Sequence, residues 1–148
     1  MKKAFKTAMA VLCTALIVSL TGCQKEPEDL IVGTWIETEA TYSITQNSET
    51  HSMSLLEEGE TVEMVFNKNN TYSSVYHSNE GDSSESGTWS ISGKKLTLIA
   101  TEGGLDTDPQ VFNIDNIDKK NMVLSRSESD EDEDGPYTVT IVMKLSKK

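Results

Sequence analysis

Gly87-Thr88-Trp89-Ser90-Ile91-Ser92-Gly93-Lys94-Lys95-Leu96-Thr97-Leu98 is the stretch that decides the fold. Trp89 and Ile91 stand two residues apart, as do Leu96 and Leu98, with Ser, Thr and Lys at the other positions. Apolar side chains at period two put one face of a segment in a core and the other in water, which is the signature of a half-buried strand. Ser92-Gly93-Lys94 has the length and the glycine of a tight turn. The stretch therefore reads as a β-hairpin, with strands over 87–91 and 95–100.

The same reading extends outward in both directions. Upstream, Trp35 and Ile36 sit in a first strand over 31–39, and Val62, Met64 and Phe66 alternate with Glu63 and Val65 in a second. Asn67-Lys68-Asn69-Asn70 is a turn, because Asn tolerates the left-handed backbone that hairpin loops need. A Thr/Tyr/Val-rich strand follows over 71–77, then a polar loop over 79–86. Downstream, strands are expected over 111–117, 122–127 and 137–145, the first two joined by Asp118-Lys119-Lys120-Asn121. Helical periodicity is nearly absent. The fold class is all-β: eight short strands at near-regular spacing, as an antiparallel up-and-down barrel or a sandwich. Barrel closure would also remove exposed strand edges.

Residues 41–59 do not follow this rhythm. Tyr42 and Ile44 could extend the first strand, while Met53 to Glu58 could form one helical turn ended by Gly59. The alternatives for that turn are an apolar lid over a barrel mouth and a mobile loop. Gly33-Thr34-Trp35 repeats as Gly87-Thr88-Trp89, too short to argue duplication, but both indoles are expected in the core.

The chain has 148 residues, 13 Lys plus Arg against 24 Asp plus Glu, and 36% hydrophobic residues. That is one domain's length, with too little apolar content for a multispanning membrane protein. Lys2, Lys3 and Lys6 open the chain, and a run of small and apolar residues over 7–20 follows. The run is short for a membrane span and has the layout of a secretory signal. Leu20-Thr21-Gly22-Cys23 resembles the lipobox of bacterial lipoproteins, which implies a diacylglyceryl thioether and N-terminal acyl chains such as palmitate on Cys23. On that reading, residues 1–22 are a cleaved signal peptide, 23–30 a lipidated polar tether and 31–148 the barrel domain. Cys13 leaves with the signal, so the remaining domain has neither a free thiol nor a disulfide.

Gln24 rather than Asp after the cysteine points, by resemblance to lipoprotein sorting, to the outer membrane, with a periplasmic or surface-exposed domain. Lys25 followed by acids resembles a surface-export tag, and a solvated linker explains it equally well. Beyond residue 22 the chain holds 10 basic and 24 acidic residues. A net charge of that sign disfavours nucleic acid and anionic headgroups as partners.

Val32-Gly33-Thr34-Trp35, then Phe66-Asn67-Lys68-Asn69-Asn70-Thr71-Tyr72, then the opening hairpin occur in the order seen in lipocalin-like domains of small bacterial lipoproteins, which the chain resembles over about 31–145. The resemblance implies that Gly33 and Trp35 close the barrel floor and that the interior holds a small apolar or amphipathic ligand. No Thr-Asp-Tyr motif is present. For the basic residue that covers the floor indole, Arg126 is the candidate and Lys144 its rival. Tyr72, Tyr76, Trp89 and Met64 are the residues placed on a ligand, since Tyr offers a polar handle and Met adapts to irregular shapes; ordinary barrel packing is the alternative.

Asp130-Glu131-Asp132-Glu133-Asp134-Gly135 matches the first half of a calcium loop, which makes Asp130, Asp132 and Asp134 the candidate metal ligands. The twelfth position is Ile141 and not a bidentate Glu, so an EF-hand is excluded, and a solvated acidic loop is the alternative. Calcium is the only cofactor the sequence raises. His51 and His77 lie in unrelated segments and give no zinc spacing. No Gly-x-Ser-x-Gly elbow or glycine-rich phosphate loop occurs, and Glu57, Glu58 and Glu60 read as a solvated loop rather than a glycosidase pair. The expectation is a monomeric, non-enzymatic, membrane-anchored ligand binder, with a filled-barrel cell-surface interaction module as the alternative.

Overall fold

The computed structural model describes residues 26–104 and 108–148. The signal segment, Cys13 and the lipidation position Cys23 lie outside the described residues. Among the described residues the alternating pattern resolves into a short helix α1 (Pro27–Ile31) and nine strands. These are β1 (Gly33–Gln46), β2 (Glu49–Ser54), β3 (Thr61–Phe66), β4 (Thr71–Ser78), β5 (Gly81–Ser92), β6 (Lys95–Glu102), β7 (Gln110–Ile117), β8 (Asn121–Asp132) and β9 (Gly135–Lys147).

All pairings are antiparallel, from β3 in order to β9, and β9 returns to pair along β1 from Trp35 to Gln46. Eight strands thus close a barrel, with β2 as an addition to the expected eight.

The extra strand comes from the segment that broke the rhythm. β3 covers β1 only from Gly33 to Glu37, leaving the rest of that edge with unpaired backbone groups. The chain turns at Asn47 and Ser48, both with positive φ, and β2 pairs back along Thr41–Gln46. Ser43 and Ser52 hydroxyls meet at 2.8 Å, as do Thr45 and Thr50. A paired ladder satisfies more backbone groups than one isolated helical turn, so the turn expected over 53–58 does not form and Met53 lies in β2. The same logic converts the polar loop expected over 79–86 into strand: β4 runs to Ser78 and β5 restarts at Gly81. Pro27 falls in the stretch expected to be a polar tether. It occupies the first turn of α1, where its missing N–H goes unused.

The closed end of the barrel is solid. Trp35, Phe66, Tyr72, Trp89, Leu96 and Met122 are all buried there, with Ile31 of α1 beneath them. Phe66 lies edge-on to Trp89 at 6.1 Å and stacks on Tyr72 at 6.4 Å. Both indoles of the repeated tripeptide are core, as expected, and each donates its N–H to a backbone carbonyl: Trp35 to Ile31 at 2.6 Å, Trp89 to Asn67 at 3.1 Å. Their glycines are needed for close approach. A Cβ on Gly87 would stand 2.0 Å from the Ile99 carbonyl oxygen, where β5 and β6 shift register. Backbone cannot retreat as a side-chain tip can. Gly87→Ala is therefore expected to lower unfolding stability by about 2–3 kcal/mol, read as a drop in the urea midpoint.

Candidate functional site

Gly33 opens β1, and Trp35 two residues on is fully buried at the closed end of the barrel. Gly33 has φ +134, and a Cβ there would meet Lys147 Cε at 2.6 Å. Lys147 is the cation over the Trp35 ring, with Nζ 4.9 Å from the centroid, and Nζ also donates to the Leu30 carbonyl at 2.7 Å. Neither Arg126 nor Lys144 takes that place. Arg126 donates from Nε to Glu128 at 2.8 Å, and Lys144 pairs with Glu39 at 2.9 Å. Lys147 lies beyond the last strand expected over 137–145, and β9 in fact runs on to include it. Lys147 is opposite Trp35 in the β1–β9 ladder.

Of the residues placed on a ligand, Met64, Tyr72 and Trp89 are brought together, but within the packed core. Tyr72 donates its hydroxyl to Glu85 at 2.9 Å, and burial with that partner pushes its ionisation well above the usual tyrosine range. Tyr76 stands apart from them, towards the open end and half-buried. Its hydroxyl is hydrogen-bonded to Glu60, which pushes the phenol up to about 12 and holds the Glu60 carboxyl below its usual value.

Above the floor the interior face changes character. A register shift between Glu37 and Glu39 inserts one residue into β1, so both Glu37 and Ala40 point inward while Thr38 and Glu39 face solvent. Beyond the bulge Tyr42 and Ile44 continue the inward row. On β9 Met143, Ile141 and Val139 lie opposite Ala40, Tyr42 and Ile44 in turn. All but the buried Ala40 are half-buried. The pairing register places Ser74 and Tyr76 of β4 and Glu85 of β5 on the inner face of the opposite side. The open half is thus a cup with one apolar wall and one polar wall.

Glu37 sits at the base of that cup. The residue is 7% exposed, and burial raises its pKa from 4.5 to about 7. Its neighbours across the ladders are Leu145 and Val62. The sequence did carry a signal for it, since Glu37 lies two residues after Trp35 and hence in phase with the core face.

The acidic string does not make a loop. Asp130 and Asp132 lie in β8 opposite Tyr137 and Gly135, and Asp134 is in the turn. Asp132 Oδ1 accepts from Gln46 Nε2 at 2.8 Å and from the Asp134 N–H at 2.9 Å. Among the described residues, no group of three or more His, Cys, Asp or Glu side chains is placed to hold a metal ion.

The turns at the two ends of the barrel differ in their lysines. The three closed-end turns carry Lys68, Lys94 and Lys95, and Lys119 and Lys120 beside Asp118, and β9 ends there at Lys147, followed by Lys148. The turns of the open end hold Glu57, Glu58, Glu80, Glu133 and Asp134 and no Lys or Arg among the described residues.

Three comparisons bear on this geometry. A family profile described as a lipocalin-like domain matches residues 31–124. A solved structure of a lipocalin-like protein from Bacteroides uniformis is similar, with a TM-score of 0.52 over 80% of this chain and 98% of that one, at 15% identity. That likeness concerns the fold alone. An uncharacterized protein from Bacteroides eggerthii gives a TM-score of 0.48 over 80% and 99% of the two chains, at 13% identity, and supports no argument. No curated protein matches.

Glu37 also makes stability depend on pH. The folded chain takes up its proton near pH 7 and the unfolded chain near 4.5, so between those values the folded state holds more protons. Stability from this group is full below 4.5 and lost as pH rises through 7. Glu37→Gln is expected to raise stability at pH 8 by up to about 3 kcal/mol, with the gain vanishing near pH 4 in paired thermal melts.

Proposed function

The chain belongs to the lipocalin-like domain family, and on that premise we propose that it binds a small amphipathic molecule in the open half of the barrel. The observation that carries this is the division of the cup. Tyr42, Ile44, Ile141 and Met143 offer a half-buried apolar wall, and Tyr76 and Glu85 face it with polar atoms. The ligand sits above the floor, because Met64, Tyr72 and Trp89 fill the space below.

The anchoring expected at Cys23 fits this placement. α1 begins at Pro27 beneath the closed end, so a thioether at Cys23 holds the floor towards an outer membrane and leaves the mouth facing away. The protein in this reading is a binder and not an enzyme. A second reading, a cell-surface interaction module, is favoured by β2. Its six residues are all exposed and it is an outer strand of the sheet, whose free edge can take a partner's strand. Crosslinking on intact cells that recovers a partner through β2 would support it.

Two measurements test the leading reading. Native mass spectrometry of protein purified from its own host is expected to show a co-purified small molecule. Nile red, a neutral probe, is expected to brighten on binding, and Ile141→Asp to weaken that binding at least tenfold. A bare mass together with no brightening would sink the proposal. Cys23→Ala is expected to move the protein from the membrane to the soluble fraction and to abolish incorporation of a labelled palmitate.

A further inference from the structure

Glu37 is the point at which the cup departs from the usual behaviour of buried carboxylates. A carboxylate taken out of water is normally compensated by a cation or by hydrogen-bond donors. The other acids named around the barrel interior obey this: Glu85 accepts from Tyr72, Glu60 from Tyr76, and Glu128 pairs with Arg126. Glu37 accepts no hydrogen bond and makes no ion pair among the described residues, although it is more than nine-tenths buried. Its oxygens are not sealed, since no side-chain oxygen fully removed from contact with the surroundings is left without a partner. The carboxyl is therefore unpartnered and not fully sealed, and it lies on the inner face next to the inward row that continues through Ala40.

The surroundings select the partner's charge. Among the described residues Arg126 is the one cation whose register places it on the inner face, and Glu128 holds it. The described lysines lie at the closed end or, for Lys144, on the outer face with Glu39. The turns around the mouth are acidic and without Lys or Arg among the described residues, so the field at the entrance draws cations and repels anions. A metal ion finds too few ligands, because His51 is exposed on β2 and His77 is exposed beside Asp82. An organic anion would meet Glu37 with like charge.

We propose that the cup takes an amphipathic organic cation, with its ammonium group on the Glu37 carboxylate and its apolar body along Ala40, Tyr42, Ile141 and Met143. This rests on the ligand-binding reading above and names the chemical class of its ligand. The ammonium supplies both the charge and the N–H donors that Glu37 lacks. The hydrocarbon is removed from water by the wall that β1 and β9 present.

Calorimetric titration of the full chain at pH 8 with octylammonium, octanol and octanoate tests it. Octylammonium is expected to bind at least tenfold more tightly than octanol, and octanoate more weakly than either. Glu37→Gln is expected to bring the octylammonium-to-octanol affinity ratio down to about one, and Glu37→Asp to restore part of it. Thermal melts establish that both variants are folded. If octanol binds and octylammonium binds no better, or if the preference survives Glu37→Gln, the amine assignment is overturned while ligand binding stands. If none of the three binds the unaltered protein, both fall.

Discussion

The structure depends on the way Trp35 ties the two ends of the barrel wall together. Its indole N–H is given to Ile31 in α1, and its ring lies under the ammonium of Lys147 at the end of β9. Lys147 is held from a second side by the Leu30 carbonyl, and the Lys148 N–H reaches the Thr34 carbonyl. One fully buried side chain thus fixes the helix beneath the floor, the first strand and the last. The tight fit of Gly33 against Lys147 follows from this, because the lysine must pass over the strand to reach the ring. With the floor fixed and filled, the proposed ligand is confined to the open half of the interior.

Much of this was legible in the sequence. Period-two alternation gave the hairpin over 87–98, the order of the strands and the burial of both indoles. The places where it failed share a cause. The 41–59 segment and the 79–86 stretch are rich in Ser, Thr and Glu and carry little apolar alternation, yet they pair as strands because neighbouring backbone was left unsatisfied. That requirement is created by topology, here by how little of β1 is covered by β3, and no local pattern reports it. Lys147 was missed for a similar reason, since its role comes from a pairing between residues more than 100 apart in sequence. Glu37 was the opposite case: its phase with Trp35 was visible, but the inserted residue that keeps Ala40 on the same face was not.

The interior is organised by depth as well as by wall. Below Glu37 nearly every inward position is apolar and closely packed, and the two indoles and Tyr72 each find one acceptor. Above it, polar side chains share the inner face and burial becomes partial. A carboxyl at the boundary between the two regimes meets the low dielectric of the core, which is why its pKa rises.

The closing pair of strands also sets an order in time. β1 cannot complete its hydrogen bonds until β9 exists, and β9 is the last strand of the barrel in chain order. Contacts so distant in sequence form slowly, because the entropy of a long loop must be surrendered before they contribute. During synthesis the first strand waits, with one edge bare, until β9 has followed the other strands. The hairpins between β3 and β8 can form earlier, since each needs only its neighbour. The barrel is therefore assembled as an open, curling sheet whose last event is the meeting of its two ends, and loss of the later half of β9 would strand it at that stage.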